Sequence, residues 1–323
     1  LGYLIGTDEA GYGPNLGPLV ISATVWRIET DPRRTDLYRR LAKACAPATD
    51  GKTEPCDDHI LVGDSKLLYR PQHGLKLLER GVLSMIGLLD ELPADWRALW
   101  NLLEPQPHEP CDGLPWHDGF NIGLPLQADL DNLRQCSDRL RRVAGRAKIG
   151  LVAIRSRTVF PQRFNELADD YGNKAEALSR LTLGLVGELL ADLPPEPTVV
   201  VCDKHGGRNR YGSLLQRQFP DVLVEVARES QAESIYRFGP ELNRTEFRFR
   251  VGAEALLPTA LASMASKYLR ELCMLAFNDF WQRHVPDLRP TAGYPGDSRR
   301  FKSDIEAMQL QLGIDDCILW RTR

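Results

Sequence analysis

Gly6-Thr7-Asp8-Glu9-Ala10-Gly11-Tyr12-Gly13-Pro14, followed after Asn15-Leu16 by Gly17-Pro18 and the apolar run 19–25, decides how the rest of the chain is read. Residues 3–7 read as a short strand that delivers two adjacent carboxylates into a turn rich in Gly and Pro. Neighbouring residues on a strand face opposite ways, so Asp8 and Glu9 can share one cation only if the backbone bends there. Gly11 and Gly13 make a bend cheap and leave little bulk beside an approaching ligand. Residues 19–26 are β-branched and alternating, as for a second strand paired with the first in a hairpin. The competing reading is an acidic surface turn, because loop carboxylates are usually just solvated.

Working outward, the 323 residues suffice for a large core. Hydrophobic content of 43% and charged content of 26% are those of an ordinary globular protein, which excludes a disordered or fibrous chain. With 41 Lys and Arg against 44 Asp and Glu, the net charge of -3 neither demands nor excludes a nucleic-acid partner. A local basic surface around an acidic site would matter more. Seven cysteines, at 45, 56, 111, 136, 202, 273 and 317, show neither Cys-x-x-Cys nor metal-ligand spacing. A reduced, cytoplasmic setting is therefore expected, without a disulfide framework. No apolar run has membrane length, so no membrane partner is expected.

Helices are expected over 34–44, 75–89, 126–143, 174–190, 208–217 and 256–277, and further strands over 149–154, 222–226, 234–238 and 245–251. Asp64 or Ser65 can cap a helix start, and Asn173 another. Residues 45–60 and 92–120 read as insertions. The second contains Pro93, Trp96, Trp100, Pro105, Pro107, Pro110, Pro115 and Trp116 and is expected to lack periodicity, its tryptophans packing onto the domain in preference to stacking on bases. His108 and His117 in it have no third ligand spaced for zinc. Thr198-Val199-Val200-Val201-Cys202-Asp203 has the form of a buried parallel strand ending in a charge. In open sheets ligands gather at that end of a strand.

Several of these stretches together resemble the type 2 ribonucleases H. The opening Asp8-Glu9-Ala10-Gly11-Tyr12-Gly13 is similar to that family's Asp-Glu-Ala-Gly-Arg-Gly, and Asp64-Ser65-Lys66-Leu67-Leu68 to its Asp-Ser-Lys-Lys-Leu. Ala262-Ser263-Met264-Ala265-Ser266-Lys267-Tyr268-Leu269-Arg270 resembles the family's Ala-Ser-Ile-x-Ala-Lys-Val-Thr-Arg helix, and Gly293-Tyr294 the Gly-Tyr of its His-Lys-Gly-Tyr turn. The likeness runs in order through residues 3–26, 62–68, 149–190, 198–227 and 252–304. It implies a ribonuclease H-like fold: a mixed five-stranded sheet flanked by helices, in one elaborated domain over 1–323, with 252–323 a C-terminal helical region packed on the core.

The resemblance also implies a chemistry. Asp8, Glu9, Asp203 and Glu254 would be the catalytic, metal-binding carboxylates, holding Mg²⁺ or Mn²⁺, two per site during catalysis. Gly11, Tyr12, Gly13, Lys66, Lys204, His205, Arg208, Lys267 and Tyr294 would contact substrate. The substrate would be an RNA–DNA hybrid or duplex DNA containing a ribonucleotide, cut in the RNA strand. Departures accompany each motif: Tyr12 replaces an Arg, Leu67 a Lys, Ala253 the fourth Asp, and Thr291-Ala292 a His-Lys pair. Glu254 either replaces that Asp or merely sits at a helix start, where acids are favoured. A metal-dependent nuclease of other specificity and a nucleic-acid-binding protein without catalysis remain the alternatives.

Overall fold

The computed structural model describes residues 1–49, 59–69, 74–105, 113–205 and 207–322. The expectations for 50–58, Cys56, Pro107, His108, Pro110, Cys111 and Gly206 concern residues outside those described. β1 (Gly2–Ala10) and β2 (Leu19–Ile28) form the expected antiparallel hairpin, in register from Gly2 opposite Ile28 to Ala10 opposite Val20. Next come α1 (Leu37–Leu41), the short parallel pair β3 (Cys45–Pro47) and β4 (Ile60–Val62), then α2 (Ser65–Leu68) and α3 (Lys76–Ile86). α4 (Trp96–Leu103), α5 (Leu130–Ala147), β5 (Ile149–Val159), α6 (Pro161–Asp170) and α7 (Lys174–Asp192) follow. β6 (Thr198–Asp203), α8 (Gly212–Gln218), β7 (Glu225–Glu229), β8 (Glu233–Phe238) and β9 (Thr245–Arg250) complete the sheet. The helices α9 (Leu257–His284), α10 (Pro295–Leu312) and α11 (Asp316–Leu319) end the described chain.

Seven strands join one sheet in the order β5-β2-β1-β6-β9-β8-β7, two more than the expected five. β1, β6 and β9 are parallel neighbours, while β2 runs against both β1 and β5. This mixed sheet with helices on both faces matches the ribonuclease H-like description. The strand period divides two cores between the faces. Leu4, Val20, Trp26, Val199 and Val201 lie in the core that includes α3, α5 and α9 residues. Tyr3, Ile5, Ile21, Val25, Val200 and Cys202 lie in the other, with α6, α7 and α8.

Three expectations need correction. Residues 92–120 are not aperiodic: Trp96, Leu99, Trp100 and Leu103 fall at i, i+3, i+4 and i+7 and are all buried, with Asp95 capping α4 by accepting from the Ala98 amide. Their tryptophans do pack inward, as expected; Trp100 is 6.4 Å from the stacked Phe160 ring. α1 is only one turn and a half long, because Asp36 caps it late, donated to by the Arg39 amide. The strand expected over 245–251 stops one residue short, so Val251 does not continue the apolar face of Phe247 and Phe249. β9 ends at Arg250, and the chain swings through Gly252 at φ +68, leaving Val251 65% exposed.

On β9 the carboxylate of Glu246, 2% exposed, takes Arg237 Nε at 2.7 Å and Arg248 Nε at 2.6 Å. Burial opposes its ionisation, but the hydrogen bonds from Arg237 and then Arg248 outweigh that, and its pKa lies below the ordinary 4.5. A carboxyl with a depressed folded-state pKa contributes stability above its unfolded pKa and loses it as pH falls through the folded value. Glu246→Gln is therefore expected to cost about 1–2 kcal/mol at pH 7, the partly open arginines limiting the loss. Thermal melts from pH 7 down to pH 3 should show the two proteins converging below about pH 4.5. A constant gap across that range would show that the ion pairs are not the cause.

Candidate active site

The site forms where neighbouring strands leave the sheet together. Thr7 on β1 pairs with Cys202 on β6, so Asp8 and Asp203 each occupy the next position along parallel strands. Asp203 in turn lies opposite Arg250, the last residue of β9. Beyond it the left-handed Gly252 turns the chain into a single 3₁₀ turn, Ala253–Ala255, carrying Glu254. The Ala253 amide donates to Asp203 Oδ1 at 3.4 Å, which ties this turn to the end of β6.

α9 supports the strand ends from one face. Ser266 Oγ donates to the Asp8 carbonyl at 3.0 Å, and the Ser263 hydroxyl hydrogen-bonds the Asp8 carboxyl. Ser263 Oγ also accepts from the Ser65 amide at 3.4 Å and lies 3.2 Å from Ser65 Oγ, docking α2 beside the site. The α2 cap is Asp64, whose Oδ1 accepts from the Lys66 amide at 3.0 Å. Ser263 and Ser266 are one helical turn apart, a spacing visible in the sequence that points both at the same neighbour.

Electrostatics join these groups. Burial, then Glu9, then Glu254 push the Asp8 carboxyl well above the usual range, against the Ser263 hydrogen bond. Glu9 is pushed up to about 7 by burial, Asp203 and Glu254, with Lys66 opposing. Glu254 is raised by burial, then Asp203 and Asp64, and Lys66 again opposes. Asp8, Glu9 and Glu254 are thus each raised by burial and by neighbouring carboxylates, and Lys66 opposes this at Glu9 and Glu254.

Among the described residues, no group of three or more His, Cys, Asp or Glu side chains converges closely enough to hold a metal ion. The bend expected at Asp8-Glu9 is not there, because β1 stays paired with β2 through Ala10. Asp8 and Asp203 follow the parity of Leu4 and Val201 toward the α9 face, and Glu9 follows Ile5 toward the α7 face. The donor set is nevertheless all oxygen, and the raised Asp8 and Glu9 carboxyls mark a place short of positive charge. Hard divalent cations fit both conditions.

The remaining residues singled out from sequence lie around this cluster in three ways. Gly11, at φ +87, closes the turn: a Cβ there would lie 2.4 Å from the Pro18 carbonyl oxygen and 2.6 Å from Arg270 Nε. Tyr12 is partly exposed under Lys174 Nζ, 4.8 Å from the ring centre, and its hydroxyl pKa is raised by burial and then by Glu9. Space beside Gly13 is open.

The basic run after Asp203 has internal partners. Lys204 Nζ donates to Asn209 Oδ1 at 2.7 Å and the Ser230 carbonyl at 2.6 Å. His205 is buried against Ser179 Oγ at 3.1 Å, and burial, then Arg208, hold its pKa down to about 4. Arg208 pairs with Glu176 of α7 at 2.8 Å.

A second group gathers around Lys267, whose Nζ lies 2.6 Å from Glu271 Oε1 and 4.4 Å from the Tyr69 ring centre. Lys267 thus neutralises a carboxylate of its own helix, while Lys66 serves the acidic cluster. Tyr294, half exposed, lies under the Arg270 guanidinium at 5.9 Å. Sequence reasoning missed Asp64, Tyr69, Ser263, Ser266 and Arg321 as neighbours of the site. Among them only the serines carried a periodic signal.

No family model matches the chain, and no curated protein matches it. Solved structures similar to it include a chain of the PCNA:RNase HII complex from Archaeoglobus fulgidus, at 14% identity and TM-score 0.44, covering 99% of this chain and 94% of that one. Ribonuclease H2 from Pyrococcus horikoshii OT3 matches at 16% identity and TM-score 0.43, covering 98% and 92%. Bst-RNase HIII in complex with Mn²⁺ matches at 14% identity and TM-score 0.41, covering 99% and 66%. Likeness at this distance bears on neither substrate nor residue roles, and the fold is assigned from the strand order and register above.

Proposed function

We propose that the chain is a divalent-metal-dependent endonuclease that hydrolyses the RNA strand of RNA–DNA hybrids or ribonucleotides embedded in duplex DNA. The observation that carries this reading is the mutual electrostatic coupling of Asp8, Glu9, Asp203 and Glu254 at the ends of adjacent strands, where burial leaves Asp8 and Glu9 with raised pKa values. Buried carboxylates with perturbed pKa values gathered at the carboxyl ends of parallel strands mark a candidate functional site. A cluster of like charges is costly to keep unless something positive binds it.

Asp8, Glu9, Asp203 and Glu254 would hold Mg²⁺ or Mn²⁺, which supplies Lewis-acid activation of water and charge neutralisation at the scissile phosphate. Ser266 fixes the Asp8 main chain, and the Asp203 contact to Ala253 fixes the Glu254 turn. Lys66, on a helix start seated against α9, limits the repulsion among the carboxylates when no cation is present. The turn after Glu9, with Gly11 at positive φ and open space at Gly13, lets backbone amides approach a sugar closely. Tyr294 offers a half-exposed ring beside the same turn.

A second reading, binding of the same nucleic acid without hydrolysis, is favoured by one observation: the four carboxylates do not close into a ligand group. Matched duplexes containing no ribonucleotide, one ribonucleotide or a full RNA strand, assayed in Mg²⁺ and in Mn²⁺, separate the readings. Cleavage confined to the ribonucleotide-containing strands is expected, by at least about 100-fold over all-DNA duplex, since a site built to bond a hydroxyl rejects the analogue lacking it. Equal cleavage of all three would move the protein to a broader nuclease class, and tight binding with no cleavage would establish the second reading.

A further inference from the structure

Residues 11–18 are held from beneath by a side chain far away in sequence. Arg321, fully buried, donates from Nη1 to the Gly11 carbonyl and from Nη2 to the Gly17 carbonyl at 2.6 Å. Its own amide donates to the Asn15 carbonyl at 2.9 Å, and Asn15 Nδ2 returns a bond to the Arg321 carbonyl at 3.4 Å. A β-bridge pairs Leu16 with Trp320. One residue thus spans the turn from its first carbonyl to its seventh, as only a forked planar donor can.

This arrangement is costly. Burial, and then the like charge of the nearby buried Arg270, hold the Arg321 pKa down to about 9. Arg270 bonds the Ala292 carbonyl at 3.0 Å and the Leu16 carbonyl at 3.4 Å, so two buried guanidiniums share the carbonyls of one turn. The Arg321 guanidinium stacks over the Phe164 ring at 4.6 Å, its Nε has no hydrogen-bond partner, and no carboxylate among the described residues pairs with it. Aromatic and carbonyl contacts offset less of the desolvation of a cation than a carboxylate would. In the peptide unit joining Gly11 to Tyr12 the amide points opposite to the carbonyl that Arg321 holds, whereas Pro18 has no amide and the Asn15 and Leu16 amides are bonded to the Gly293 carbonyl.

We infer that Arg321 is a positioning residue for substrate binding: its fork sets the shape of the Gly11–Gly17 turn, and thereby where the turn's amides meet the sugar of the nucleic acid. This rests on the proposed function, in which that turn faces substrate. Asn165 is the accessory to it. Its side chain donates to the Trp320 carbonyl at 2.9 Å and accepts from the Thr322 amide at 3.0 Å, anchoring the tail to α6 without touching the turn.

Two full-length variants test the inference. Arg321→Lys keeps the charge and loses the fork, and Asn165→Ala loosens the anchor from outside the site. On the ribonucleotide-containing duplex, Arg321→Lys is expected to raise KM about tenfold with kcat per folded molecule within twofold, and Asn165→Ala to raise KM about threefold. Amide hydrogen exchange of both should quicken at residues 11–17 while the amides of β6 and β9 stay as in the wild type. An unchanged KM together with unchanged exchange at 11–17 would overturn the inference. So would exchange quickening equally across the sheet, which marks a purely structural role. Should the wild type cut no duplex, the exchange pattern and the duplex Kd provide the same comparison, so failure of the nuclease reading stays distinct from failure of the positioning role.

Discussion

Asp203→Asn is expected to lower cleavage by on the order of 10³-fold or more, equivalent to about 4 kcal/mol of transition-state stabilisation, while making the protein more stable at pH 8. The two effects have one cause. Asp203 raises the pKa values of Glu9 and Glu254, so removing its charge relieves repulsion in a buried cluster. The amide oxygen of Asn can still accept from the Ala253 amide, which spares the 3.4 Å contact that holds the Glu254 turn. Glu9, with a folded-state pKa of about 7 against 4.5, is a carboxyl whose ionisation opposes folding above its unfolded pKa. The stabilisation should therefore be full above about pH 7, worth about 1 kcal/mol, and fade as pH falls through 7 and Glu9 takes up its proton. Cleavage assays with melts at pH 4 and pH 8 check both halves. Retained activity would remove Asp203 from the chemistry, and a lower melting temperature at pH 8 would show that the cluster is not under repulsion.

Gly6→Ala should be the most damaging single substitution in β1. A Cβ at Gly6 would lie 2.2 Å from the Thr259 nitrogen and 2.3 Å from the Pro258 carbonyl carbon. Backbone atoms cannot rotate out of the way, so the start of α9 must move off the sheet. Overpacking against flexible side chains costs about 1–3 kcal/mol, and a rigid obstacle belongs above that range, at roughly 3–5 kcal/mol. The same helix carries Ser263 and Ser266, so activity should fall along with stability. Gly150→Ala on β5, where an added Cβ meets nothing within 4 Å, is the control and should change stability by less than about 0.5 kcal/mol. Urea denaturation of the three proteins decides the matter. A Gly6→Ala midpoint equal to that of Gly150→Ala would mean that α9 does not cross the sheet so closely.

Legibility followed the range of the interactions. β6 was readable to the residue, because an unbroken β-branched run between Pro197 and a charge has few other uses. The hairpin of β1 and β2 was equally plain, though β1 runs on to Ala10 because its pairing with β2 outlasts the Gly-rich signal. That extension is also why Asp8 and Glu9 part to opposite faces, which the motif alone did not show. α4 was hidden by composition: Pro and Trp drew attention away from a regular apolar spacing. Neither Arg321 nor Tyr69 could be found by any local pattern. Their partners lie elsewhere in the chain, 310 residues away for the Arg321 bond to Gly11.

That last separation bears on how the molecule is made. Asp8 receives its Ser266 bond across 258 residues and Gly11 its Arg321 bond across 310, while the strand bearing them pairs in parallel with β6. Contacts so far apart form late, since the chain must be closed into large loops before they repay the entropy. At translation rates of roughly 5–20 residues per second, β1 and β2 emerge many seconds before α9 and the tail that complete them. The N-terminal hairpin must wait, with its acidic end unassembled, until nearly all of the described chain has been synthesised.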